Sequence, residues 1–176
     1  MEEKNEGLPS EERMKIDAQK LEDLRIRMEG EQNIGLAMAA GVAAAAVGAG
    51  VWAVVTALTH IQIGFMAIGV GFLVGYAVRT FGKGMSGAFG IIGAGFSLLG
   101  CLAGNLLAVC AALAEAESIP FSTVLANLNL GLITELMKVT FHPMDLLFYG
   151  IAVYEGYRFS FRGITQTELK SMMKES

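Results

Sequence analysis

A chain of 176 residues has the length of one soluble domain, yet 53% of it is hydrophobic and only 17% charged. An ordinary globular domain carries roughly a quarter charged residues, and a mean hydropathy of +0.51 excludes that class. The net charge of −4 comes mostly from an N-terminal mixture of ten acids and six bases, which forms no basic stripe for nucleic acid.

In chain order, Met1 to Gly7 reads as a disordered tail. Pro9, Ser10, Glu11 and Glu12 then mark a helix start, with Ser10 as N-cap and acids in the first turn. Met14, Ala18, Leu21 and Met28, with Leu24 nearby, form a thin apolar stripe on a charged helix running to about Gly30. It is read as a solvated helix continuing into the span, with a short coiled-coil contact over fewer than three heptads as the alternative. The first thirty residues carry no apolar run of signal-peptide type, so the first apolar segment is expected to remain as an anchor. Residues 1–32 are thus read as a charged cytoplasmic tail and helix.

Between Asn33 and Ala114 the only formal charges are Arg79 and Lys83. Helices in this stretch have no polar face and must meet lipid or protein all round. Four spans are expected within 33–162, at about 33–58, 61–78, 88–114 and 144–161. A polar break at Thr59, His60 and Gln62 separates the first two, and a Gly-rich basic turn from Arg79 to Gly87 the next two. Pro143 and Asp145 open the fourth. Glu115 to His142 holds two amphipathic runs, Phe121 to Leu128 and Leu132 to Thr140, read as short helices on the bilayer surface or capping the bundle. After Gly163, Thr165 to Glu168 is a capping box opening a short polar helix in the C-terminal tail, 163–176. The fold class is therefore all-α: a polytopic four-helix transmembrane bundle.

Orientation follows from the bases. With the N-terminus inside, twelve Lys and Arg lie on the cytoplasmic side and only Lys138 outside. The positive-inside rule then places both termini in the cytoplasm.

Small residues recur at every fourth position: Ala37, Gly41, Ala45, Ala49, Ala53 and Ala57 in the first span; Ala67, Gly71 and Gly75 in the second; Gly100, Gly104, Ala108 and Ala112 in the third. Such ladders let helix backbones approach closely in lipid. Gly41, Ala45, Gly71, Gly75, Gly100 and Gly104 are therefore expected to lie against other helices. The first ladder is long enough to leave part of it for a neighbouring protomer, which predicts a homo-oligomer or a membrane-protein partner. The glycines do not make a nucleotide site. Gly69, Gly71 and Gly75 follow no strand, and Gly82-Lys83-Gly84 lacks the flanking residues of a P-loop.

Polar groups inside the spans are few. Glu155 is expected in an ion pair with Arg158, Arg79 or Lys83, the alternative being an ion or substrate role. Asn105 is expected in an interhelical hydrogen bond. His60 and His142, with Asp145 beside the latter, are weak metal candidates that fall short of a ligand motif; no cofactor is expected. Cys101 and Cys110 lie about 13.5 Å apart along one helix, too far for a disulfide. No nucleophile has a base in reach, so no enzyme is expected.

Three stretches, Gly64–Lys83 (GFMAIGVGFLVGYAVRTFGK), Gly93–Asn105 (GAGFSLLGCLAGN) and Pro143–Tyr157 (PMDLLFYGIAVYEGY), resemble a family of small, uncharacterised bacterial four-span inner-membrane proteins. Some members carry a zinc-ribbon-like segment before the first span, which this cysteine-free tail lacks. The resemblance implies a bacterial inner membrane and no activity to carry over. The function expected is a non-catalytic scaffold or accessory subunit; a small oligomeric channel or transporter using Glu155 and Asn105 is the alternative.

Overall fold

A computed structural model describes residues 10–59 and 64–163. Among them the chain is helical with no strand: α1 Ser10–Gly30, α2 Ile34–Thr59, α3 Phe65–Gly82, α4 Gly87–Ala116, α5 Phe121–Ala126, α6 Leu130–Thr140 and α7 Pro143–Phe159. Three of these, α2, α3 and α4, are long and apolar enough to cross a membrane. At 1.5 Å per residue they measure about 39, 27 and 45 Å, against a hydrocarbon core of about 30 Å.

Helix ends follow local chemistry. The Asn33 side chain accepts the Leu36 N–H at 2.9 Å and starts α2. Asn129 does the same for Leu132 and starts α6. At α7 the Asp145 carboxylate accepts the His142 backbone N–H at 2.9 Å, with Pro143 at the first helical position. The α3 boundary differs from the expected 61–78: the described helix runs from Phe65 on to Gly82. Arg79 does not end it, because a long basic side chain can reach past the helix end to water. What ends it is Lys83 in the left-handed conformation (φ 50°), whose N–H returns to the Arg79 carbonyl. Gly84 follows, where a Cβ would overlap the Phe89 ring. Residues 61–63 and the expected Thr165 to Glu168 capping box lie outside the described residues.

Helices α2, α3, α4 and α7 pack up and down. α2 lies against α3 and α4, while α7 packs against α3 and α4 in turn. α2 and α4 run parallel, their small-residue ladders in register: Gly41 meets the Phe96 ring, Gly100 meets Ala45, and Gly104 meets Ala49 and the Trp52 ring. This narrows the expectation that part of the first ladder is left for a neighbour. Its middle is spent on α4 of the same chain, because the partner ladder on α4 has the same four-residue step. Ala57 alone of the ladder's far end stands exposed.

α3 and α7 also run parallel. A Cβ at Gly71 would stand 2.7 Å from the Ala152 Cα, and one at Gly75 would stand 2.9 Å from the Phe159 Cβ. α4 and α7 cross antiparallel, and here contact is closest. A Cβ at Gly93 would overlap the Ser160 hydroxyl, and one at Gly156 would overlap the Ser97 hydroxyl. Each serine, fully buried, donates to the carbonyl one turn before it: Ser97 to Gly93 at 2.7 Å, Ser160 to Gly156 at 2.6 Å. The two Gly-x-x-x-Ser segments thus form a reciprocal crossing. The serines satisfy themselves locally and leave only small groups between the backbones.

α5 and α6 fold over the far end of α4. Val124 joins Cys110 and Ala114 in a small apolar cluster with Leu128 and Leu136 packed on it. α6 has no buried residue, and Leu130 and Val139 are among its exposed positions. On α1, Met28 is buried whereas Ala18 and Leu21 are exposed; the side chains of Met14 and Leu24 lie outside the described residues.

Candidate functional site

The bundle has two unlike ends and a nearly apolar middle, and its polar atoms fall into three groups.

At the end where α2 begins, three chain segments are tied together by Glu31. Its carboxylate accepts from Arg162 at 2.8 Å and from Lys83 at 3.3 Å. Backbone bonds reinforce the junction: the Asn33 N–H donates to Gly82 O at 2.9 Å and the Arg162 N–H to Gly84 O at 2.8 Å. The Gln32 side chain accepts the Met85 N–H at 3.3 Å. The clasp joins the α1–α2 junction, the α3–α4 turn and the segment after α7. The Arg162 guanidinium and the Lys83 ammonium hold the Glu31 carboxyl below its ordinary value of 4.5. A carboxylate lowered on folding stabilises the fold above its unfolded value and loses that contribution as pH falls through the folded one. Glu31→Gln is accordingly expected to lower Tm slightly at pH 7, since the pairs are exposed. The difference from the parent should shrink in thermal melts as pH falls below 4.5 and vanish only once it passes the lower folded-state value. A gap that persists in acid would remove the clasp as its cause.

The second group is Glu155 on α7. The expected ion pair is absent: among the described residues nothing bonds to its buried Oε2. Lys83 is drawn to Glu31, and the exposed Arg158 reaches the Tyr154 hydroxyl at 3.4 Å instead. Lys83 lies at the end of the bundle, where Glu31 competes for it, and Arg158 turns back one helical turn to Tyr154. The carboxyl is left half-buried beside α3, its backbone carbonyl 3.2 Å from where a Cβ at Gly75 would stand.

The third group lies toward the opposite end, between α2, α4 and α7. Asn105 is 1% exposed, Trp52 2% and Tyr149 5%. The Asn105 amide stands 4.0 Å from the Met137 sulfur of α6 and faces the Tyr149 side chain. Among the described residues the Tyr149 hydroxyl completes no hydrogen bond of good geometry, and the indole N–H of Trp52 is likewise buried without a partner. Trp52 and Tyr149 escape a sequence reading because aromatic residues near span ends are ordinary interface anchors. No sequence signal marks them: that Gly104 makes room for the Trp52 ring shows only once the helices are side by side.

The remaining candidates are placed plainly. Cys101 and Cys110 are both buried and unbridged, with the Cys101 thiol 3.8 Å from the Ala67 carbonyl. His142 Nδ1 lies 2.9 Å from the Thr140 carbonyl, and Asp145 is engaged as a helix cap. Among the described residues no three His, Cys, Asp or Glu converge on a point that could hold a metal; His60 lies outside them.

Above the third group, α2 and α4 part. A half-enclosed cavity of about 450 Å³ opens between their last turns, lined by Thr56, Ala57, Ala108, Ala112, Glu115 and Thr140 among others. Compared with known proteins, the chain matches no family model, no curated protein and no solved structure.

Proposed function

We propose that this chain is a non-catalytic four-span membrane protein serving as an oligomeric scaffold or accessory subunit of a membrane complex. α7 is taken as the fourth span. At 17 residues it measures about 26 Å, slightly short of the hydrocarbon core, but it runs beside α3 from one end of the bundle to the other. The basic end, with Lys83 and Arg162, is taken as cytoplasmic by the positive-inside rule, and the setting as a bacterial inner membrane. α6, with Leu130 and Val139 outward, suits the opposite bilayer surface.

The observation that carries this reading is the sealed middle of the bundle. Gly71 against Ala152, Gly93 against Gly156 and Gly100 against Ala45 bring backbones together where a pathway would need room. With the α2 ladder used internally, contact with another copy falls on its outward face, where Val42, Val47, Val51 and Val54 are exposed.

The test has two arms. Oxidative crosslinking in native membranes should join copies through Val47→Cys but not through Ala45→Cys, which faces Gly100. Reporter fusions after Lys83 and Ser176 should read cytoplasmic, and one at Asn127 should read external. A chain that stays monomeric at every concentration, with Val47→Cys silent, sinks the scaffold; an external C-terminus sinks the four-span topology.

A second reading is favoured by one observation, the unpartnered Glu155 oxygen inside the bundle. On that reading, oligomers conduct protons or cations past Glu155. Flux in reconstituted vesicles that stops with Glu155→Gln would replace the scaffold by this channel.

A further inference from the structure

α3 and α7 run side by side into the basic end of the bundle, and aromatic rings line the groove between them. Phe72 of α3 meets Phe159 of α7 edge-on at 5.0 Å between ring centres, and Tyr76 stacks along Phe72 at 6.4 Å. The groove ends in two arginines, each in the last turn of its helix. Arg79 stands one turn past Gly75 on the same face of α3, and a Cβ at Gly75 would touch Phe159 and the Glu155 carbonyl. Arg158 stands one turn past Glu155 on α7. Both arginines are exposed, as are Phe72, Tyr76 and Tyr154.

Neither guanidinium is neutralised by a carboxylate. Among the described residues the Arg79 side chain has no hydrogen bond or ion pair, and Arg158 reaches only the neutral Tyr154 hydroxyl, at 3.4 Å. The acids of this end are engaged or enclosed. Glu31 is held by Lys83 and Arg162, and the Glu155 Oε2 is sealed inside the bundle. Each arginine thus stands over aromatic residues on an apolar helix face, at the level where a span meets the headgroups. A guanidinium binds phosphate oxygens through paired N–H donors, and tyrosine hydroxyls at the same depth can donate as well. A cation would be repelled here, and a zwitterionic headgroup would bring its own ammonium toward the same two charges.

We propose that the basic end of the α3–α7 groove binds an anionic phospholipid, its phosphodiester held by Arg79 and Arg158 and an acyl chain lying along Phe72 and Tyr76. The proposal rests on α3 and α7 being spans, and not on what the bundle assembles with. It gives the two arginines and the aromatic groove beneath them a common occupant, beside the Glu31 clasp and independent of its bases.

The full chain in a non-ionic detergent is offered phosphatidylglycerol and phosphatidylcholine of the same acyl chains, and the lipids retained are counted by native mass spectrometry. Phosphatidylglycerol should be held saturably and in preference to phosphatidylcholine, with a rise in Tm. Arg79→Gln or Arg158→Gln should each weaken it about tenfold, as for loss of one charge-assisted contact. The double variant should lose the preference altogether, and Arg79→Lys should keep part of it, having the charge without the planar fork. Lys138→Gln, an exposed base at the opposite end, should change nothing. Without added lipid all these variants should melt with the parent, since the substituted side chains are exposed. Three results would overturn the proposal. One is equal retention of the two lipids. Another is a double variant that binds as the parent does. The third is displacement by soluble glycerol phosphate at matched concentration, which would assign the arginines to a free phosphate. Retention is read in detergent without the reporter fusions, so its failure is distinct from that of the four-span topology.

Discussion

Gly156→Val is expected to abolish the folded bundle, whereas Gly150→Ala, six residues earlier on the same helix, should leave it unchanged or slightly more stable. The two glycines share a helix and differ in what stands beside them. At Gly156 a Cβ would overlap the Ser97 hydroxyl and stand 2.7 Å from the Gly93 carbonyl. Neither can step aside: Ser97 is held by its bond to the Gly93 carbonyl, and that carbonyl belongs to the α4 backbone. The helices must separate, which strips contacts along both, so the cost should reach or exceed the upper end of the about 1–3 kcal/mol typical of overpacking. At Gly150 nothing lies within 4 Å, so an added methyl meets open space and recovers about 0.5–1 kcal/mol of helix propensity. Thermal denaturation of the purified variants in detergent measures both. If Gly156→Val folds with a Tm near that of the parent, the α4–α7 crossing is not as close as described.

Glu155→Met should raise stability, and this reverses the sign expected from the sequence. A carboxylate paired with Arg158 or Lys83 would make the protein weaker on removal. Among the described residues its buried Oε2 has no partner, so the folded state carries an unmet desolvation cost of about 1–3 kcal/mol. Methionine keeps the unbranched shape and has no group to desolvate. The Tm of Glu155→Met in nanodiscs should therefore exceed that of the parent. A lower Tm would show that the carboxyl has a stabilising partner. A higher one, together with unchanged assembly, would mean that Glu155 is retained at a cost to stability, as groups held for function are.

The all-helical architecture and three helices apolar enough to cross a membrane were legible from composition alone, because hydropathy is a local property that sums along the chain. The start of α2 at Asn33 was legible for the same reason, since a cap is written within a few residues of the helix it begins. Which face of each helix turns inward was not. A soluble helix announces its buried face by polar residues on the other, whereas a helix between lipid and protein is apolar on both. Only the small residues carried directional information, and they said that a close neighbour exists without saying which. Gly100 and Gly104 were visible as a ladder, yet their partners Ala45 and Ala49 on α2 of the same chain emerged only when the helices were set side by side. The reciprocal Gly93–Ser97 and Gly156–Ser160 crossing was missed because one Gly-x-x-x-Ser step is too common to signal anything until two of them meet. Charges behaved the same way. Their number and side could be counted, but their pairing depends on distance. Tertiary structure gave Lys83 and Arg162 to Glu31, across 52 and 131 residues of chain, and left Glu155 alone.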